Sequence, residues 1–318
     1  GREEKRRMAR YPFNEKATEY MDARRGCIAE SSWRVQDRRY RRMERELIML
    51  NREGKVSTLS PTKMTVADVK AFILYRKGQE VSGSDLSHDI SALDQLLQFS
   101  GNTAVQNCLQ LNPGLKPVTR QGRLKPLSEK TYRRIMQRWD EIDQSDIYQV
   151  RPVAMVLMYI GTGARNKELR LAKMEDLDTD QWMIHFEHVK GEDSYGEPRD
   201  VPIPTELVPV LKQYLIVRDA WLLCHRASSE YLFFAMDGEY SFLSGNSVRT
   251  IKAKVEVAIG ERFELRDCRR ACGQFYLDKG LTIEEVARLL GHFTSKTTET
   301  YYCRKNNADV ARKAKGVW

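Results

Sequence analysis

The eight residues Thr162-Gly163-Ala164-Arg165-Asn166-Lys167-Glu168-Leu169 sit where the chain changes its periodicity. Before them, residues 129–142 and 147–160 carry apolar side chains at helical spacing, and the second stretch closes in the apolar run 153–160. The punctuation Gly161-Thr162-Gly163 then opens a short helix carrying Arg165 and Glu168. Beyond it the period falls to two. Residues 182–189 alternate as a strand, 191–198 have the composition of a turn, and 199–203 read as the return strand, which puts Lys190 at the end of a hairpin strand. Helical spacing comes back over residues 206–223, 247–258, 266–278 and 283–290. The last stretch has a capping box, Thr282 with Glu285, and a staple between Leu281 and Val286. The expected fold is mainly α with a small antiparallel β-hairpin or sheet.

Upstream, Ser32 is read as an N-cap, and Trp33, Tyr40, Met43, Leu47 and Leu50 recur at helical spacing with Arg34, Arg38, Arg39, Arg41, Arg42 and Arg45 between them. A second helix is expected from Thr65, burying Val66, Val69, Phe72 and Ile73. A third, from Ser84, presents Leu86, Ile90, Leu93 and Leu97 before Gly101 stops it. Residues 112–126 hold three prolines, two glycines and four basic residues with no apolar period, the composition of an exposed basic connector. Two domains follow: a helical bundle over residues 1–111 and a second domain over 127–318, with a tail from about residue 303.

At 318 residues and 41% hydrophobic, the chain has enough apolar side chain for two cores. No apolar run approaches the ~20 residues that cross a bilayer, and the charged start GREEKRRMAR lacks the apolar centre of a secretory signal. A cytoplasmic protein without a membrane partner is the expectation. The net charge of +9 is uneven: residues 1–126 carry 24 Lys and Arg against 15 Asp and Glu, so the later part is neutral. A basic module of this kind favours a polyanion, and Arg34, Arg38, Arg41, Arg42, Arg120, Arg123 and Lys125 are the candidate DNA contacts. Six scattered cysteines fit neither a zinc site nor a disulfide scaffold, and no metal site is expected at Cys268 and Cys272. His88, His185, His188 and His225 lack partners at useful spacing and are expected to be structural or surface residues.

Residues 162–169 resemble the first arginine box of the tyrosine recombinases, the phage-type integrase family, in which a TG-x-R-x-x-E-L pattern leads into a helix and then a strand. Leu289-Leu290-Gly291-His292 is similar to that family's LLGH motif, and Thr297, Thr298 and Tyr301 to its TT-x-x-Y, with Tyr301 nine positions after His292. The family's usual spacing back from His292 lands on Arg269, and its hairpin lysine falls on Lys190. The resemblance covers about residues 127–305 and implies a two-domain DNA breaking and rejoining fold. It implies a core-binding domain and a catalytic domain closing on duplex DNA as a C-shaped clamp. It also implies a homotetramer acting on two synapsed duplexes with specific recombination sites, and needs no cofactor. The resemblance further suggests a tail, with a helix over residues 308–315, that docks on a neighbouring subunit.

The roles implied are Tyr301 as nucleophile, Arg165 and Arg269 as bidentate holders of the phosphate, His292 as a phosphate ligand, and Lys190 as general acid. Two arginines neutralise the charge that builds on the non-bridging oxygens, so no metal is required. Glu168 is expected to support Arg165 by a salt bridge. Arg266 stands where most members carry histidine. Arginine keeps its proton, so it is no general base for Tyr301. Either water or another group takes that proton, or Arg266 adds charge to the site, which is the preferred reading. Tyr302 is the neighbouring alternative to Tyr301. A type IB topoisomerase-like nicking and closing enzyme, and a non-cleaving DNA-binding relative, are the other functions this pattern allows.

Overall fold

The computed structural model describes residues 12–118, 125–187, 189, 198–292 and 315. The chain divides into two units, Gly1–Gln121 and Gly122–Trp318.

In the first unit, Tyr40, Met43, Leu47 and Leu50 are buried on one face of α2 (Glu30–Arg52), which follows α1 (Pro12–Ala23). Fully burying side chains of this size is worth about 1.5–3 kcal/mol each, so packing holds a helix whose other faces are crowded with arginine. Helix α2 begins earlier than Ser32. Ala29 occupies its N-cap without a side-chain bond. Thr65 caps α3 (Val66–Gly78), the helix expected from that residue, and closes a reciprocal capping box with Asp68. Helix α4 (Gly83–Phe99) is capped by Ser82, whose hydroxyl accepts from Asp85 N, so Ser84 lies inside the first turn. Val69, Phe72, Ile73, Leu86, Ile90, Leu93 and Leu97 join the same core. The short α5 (Ala104–Leu111) went unread in the sequence. Leu115, in a 3-10 turn within the expected connector, is also buried in this core.

The second unit is built around α7 (Ile147–Thr162), which is buried on every side from Val150 onward and packs against α6 (Glu129–Glu141). A helix apolar all round belongs at the centre of a domain. It does not stop at Gly161. A Cβ there would lie 2.4 Å from Leu207 Cδ1, so this glycine permits close packing, and the left-handed residue that ends the helix is Gly163, φ 61°. The short α8 (Asn166–Leu171) follows. A three-stranded antiparallel sheet then runs β1 (Leu177–Asp178), β2 (Met183–Phe186), β3 (Arg199–Pro202) in that order. Ile184 pairs with Val201 and Phe186 with Arg199, so the hairpin has the expected partners and gains an outer strand. Helices α9 (Val208–Cys224), α10 (Gly245–Ile259) and α11 (Leu265–Asp278) also pack on α7, and α12 (Ile283–Leu290) packs on α11. The fold is mainly helical with a small antiparallel sheet.

Candidate active site

The C-terminal end of α12 gathers the site. Its N-terminus is fixed by Thr282 and Glu285, each side chain accepting the other residue's backbone N–H, and Leu281 packs against the cluster of Cys272, Val286 and Leu290. At the other end the chain turns through Gly291 at φ 62°, with Gly291 N donating to Arg288 O and His292 N to Ala287 O at 2.8 Å. The last carbonyls of a helix have no donor within it. Three successive ones are met here by three arginines. Arg199 Nε donates to Leu289 O at 2.9 Å, Arg269 Nη2 to Leu290 O, and Arg165 Nη2 to Gly291 O at 2.8 Å. Guanidinium charge is also favoured at the negative end of a helix dipole.

Glu168 organises the same arginines from the opposite side. Its side chain is wholly buried. One oxygen accepts from Arg165 Nη1 (2.7 Å) and Arg199 Nη1 (2.9 Å), and the other from Arg165 N (2.6 Å) and Arg199 Nη2 (2.8 Å). Arg269 Nη1 lies 3.9 Å away and donates to Gly163 O at 2.6 Å. Burial alone would raise the Glu168 carboxyl. The Arg199 fork, then the charges of Arg269 and Arg165, overcome it and hold the group at about 2. Glu168 thus anchors Arg165 as expected, and serves a second arginine that the sequence reading left out.

Two glycines of the motifs are fixed by space. A Cβ on Gly163 would sit 2.7 Å from Leu290 Cδ2 and 3.1 Å from Cys272 Sγ. A Cβ on Gly291 would sit 2.9 Å from Arg199 Nη1. Each also has the positive φ that disfavours a side chain. Only glycine lets the first arginine box, α11 and the end of α12 approach this closely.

His292 is half-buried. Burial, and then the charges of Arg269, Arg165 and Arg199, push its pKa down to about 3 against a smaller opposing pull from Glu168. The ring is therefore neutral near pH 7, one nitrogen donating and one accepting.

Beside these groups is a cleft of about 350 Å³ whose lining includes Arg165, Arg249, Lys252, Glu264, Arg266 and Arg269. Arg266 is exposed, whereas Arg269 is 5% exposed and contributes from the cleft floor. Lys252 is tied to Glu256 and to the Phe263 carbonyl. The arrangement suits a tetrahedral anion met by several guanidinium groups. Among the described residues, no cluster of His, Cys, Asp and Glu suited to a metal ion is present. Lys190, Tyr301, Tyr302, His188, Cys303, Arg120 and Arg123 lie outside the described residues, as do residues 308–314 of the expected tail helix.

Arg199 was legible by one signal. In β3 it shares the inward face with Val201, and a cation on the apolar face of a strand needs a buried partner. Arg249 and Lys252 carried no such mark. Of the other described histidines, His185 contacts Asp200 across the hairpin (2.8 Å) and Glu187 beside it (3.1 Å), and His88 and His225 are exposed. Cys268 and Cys272 are buried free thiols one turn apart.

In the first unit the candidate DNA arginines separate. Arg34, Arg38 and Arg41 are exposed on α2, and Lys125 of the second unit is exposed as well. Arg42 instead joins Arg39 and Arg76 around the fully buried Asp89 of α4, a use within the fold that spacing along one helix could not reveal. Among the described residues, no helix is long and apolar enough to cross a membrane.

The chain is 26% identical over 238 residues to tyrosine recombinase XerA of Pyrococcus furiosus, covering 74% of this chain and 76% of that protein. It is equally identical over 237 residues to tyrosine recombinase XerC of Lactobacillus leichmannii, with the same coverage. Among solved structures, XerH site-specific recombinase bound to palindromic difH substrate superposes with a TM-score of 0.68 at 17% identity, over 90% of this chain and 79% of that one. A lambda integrase dimer bound to a core site gives 0.62 at 15% identity, over 89% and 96%. These structural likenesses concern the fold. The model of the phage integrase family matches residues 125–308, more than half of the chain, and the protein belongs to that family of tyrosine recombinases.

Proposed function

We propose that this enzyme performs site-specific recombination by cutting and rejoining duplex DNA at Tyr301. The tyrosine oxygen attacks the scissile phosphorus, the bond to the 5′ oxygen breaks, and the 3′ phosphate is held as a tyrosyl ester. Attack by a 5′ hydroxyl of another strand reverses the step without ATP. Arg165 and Arg269 hold the non-bridging oxygens, and neutral His292 donates one hydrogen bond to them. Lys190 protonates the leaving 5′ oxygen. Arg266, facing the cleft, adds positive charge. Tyr301 loses its proton to solvent or to a group other than Arg266.

The observation that carries this reading is the convergence of Arg165 and Arg269, from separate segments, on the turn that leads into His292, beside a cleft that both line. The N-terminal helical unit serves as the core-binding domain. Its contacts come from Arg34, Arg38 and Arg41, with Arg120, Arg123 and Lys125 of the basic connector, all directed at phosphates. Two synapsed duplexes carrying recombination sites, held by a homotetramer, form the working assembly.

A nicked suicide duplex carrying the recombination site tests this. Wild-type protein is expected to form a covalent adduct and Tyr301→Phe none. An adduct retained by Tyr301→Phe, or none with wild type, overturns the assignment. Adduct without strand exchange between two duplexes would leave a nicking and closing enzyme instead.

A further inference from the structure

We infer that Arg199 is a positioning residue that sets the direction of the phosphate-holding arginines, an inference that rests on reading Arg165 and Arg269 as that pair. Arg199 cannot act on the phosphate itself. Its side chain is 8% exposed and it is not part of the cleft lining. Its guanidinium lies over the Phe186 ring, 5.2 Å from the centroid, and donates to three fixed acceptors. Two are the oxygens of Glu168 and the third is Leu289 O.

Both ends of that bridge control Arg165 and Arg269. Arg165 is held between Glu168 Oε1 and Gly291 O. With Arg199 gripping both carboxylate oxygens, Glu168 cannot turn, and its Oε2 stays 3.9 Å from Arg269 Nη1. Without the Arg199 fork the carboxylate keeps only its two Arg165 bonds and would be drawn closer to Arg269, cancelling charge that the phosphate needs. At the other end, the Leu289 bond pins the turn whose next two carbonyls aim Arg269 and Arg165. A lysine keeps the charge but lacks the planar fork that grips two oxygens and a carbonyl together.

The test compares single-turnover cleavage of an ordinary suicide duplex with one whose scissile phosphate is replaced by an uncharged methylphosphonate, which needs no cation to hold it. Arg199→Lys is expected to melt cooperatively and bind DNA as wild type does. It is expected to cleave the ordinary duplex roughly 100-fold more slowly, the scale of a misplacement of about 1 Å. On the methylphosphonate its deficit relative to wild type is expected to shrink, as that of Arg165→Ala should. Unchanged cleavage by Arg199→Lys overturns the inference. So does an equal deficit on both duplexes while Arg165→Ala is rescued. If Arg165→Ala is not rescued, the reading of the phosphate-holding arginines itself fails. Phe186→Leu, which removes the ring beneath the guanidinium and keeps every ion pair, is expected to show the same pattern in smaller degree. It decides the matter if Arg199→Lys does not fold.

Discussion

Arg165 donates through Nη2 to the carbonyl of Gly291 at 2.8 Å, joining the start of α8 to the residue before His292 across 126 positions of sequence. The bond makes the geometry of the site depend on the turn at Gly291 as much as on the arginine.

Gly291→Ala follows directly. The new Cβ would enter a left-handed backbone position and lie 2.9 Å from Arg199 Nη1. Backbone strain of this kind costs about 1–3 kcal/mol, and Arg199 must also move. Gly260, which ends α10 at φ 67° with open space around it, is the control, since alanine there bears only the backbone cost. Thermal melting is expected to rank Gly291→Ala below Gly260→Ala, with DNA cleavage impaired only in the former.

Glu168 gives a dependence on acid. Its carboxyl is held at about 2 against an ordinary 4.5, so the folded state favours the ionised form more than the unfolded chain does. The stability this supplies is complete above pH ~4.5 and is lost as pH falls through about 2. Its size is on the order of 3 kcal/mol. Glu168→Gln is expected to destabilise the protein at neutral pH by about 3–5 kcal/mol, because buried arginines lose their counter-charge. It should also flatten the fall in stability between pH 4 and 2, measured by urea unfolding at each pH.

Much of this site could be read along the chain because its motifs are local. The α12 capping box, the Gly291 turn and the arginine at the start of α8 each lie within a few residues of the signals that mark them. Arg199 depends on Glu168, 31 positions earlier, and Leu289, 90 later, and no local period encodes such pairs. Gly161 was misread for a related reason. Its lack of a side chain serves contact with Leu207 and Pro204, which sequence spacing does not show. Leu115 lay in a stretch rich in proline and glycine, where one buried anchor makes no pattern.

His292 is expected to stay neutral across the working range. Burial and three neighbouring guanidinium groups hold it at about 3, far below the ~6.5 of a free imidazole. Carbon-proton NMR of its ring should show no titration between pH 5 and 8. A full titration step for His292 near pH 6.5 would mean the arginines are not gathered around it as described.

The arginines of α2 should divide by partner. Asp89 is fully buried and accepts from Arg39, Arg42 and Arg76, and Arg76 is itself 6% exposed. Asp89→Ala removes the carboxylate that Arg76 and its neighbours share. Breaking a buried pair in this way costs about 3–5 kcal/mol, to be seen as loss of the N-terminal unit in urea unfolding. Arg38 is exposed and, among the described residues, donates only to the backbone carbonyl of Arg34, at 3.3 Å. Arg38→Ala is therefore expected to leave stability within about 0.5 kcal/mol and, if Arg38 meets a phosphate, to lower the slope of log affinity against log salt by about one. An unchanged salt slope would remove Arg38 from the DNA surface, and a large loss of stability would give it a partner within the fold.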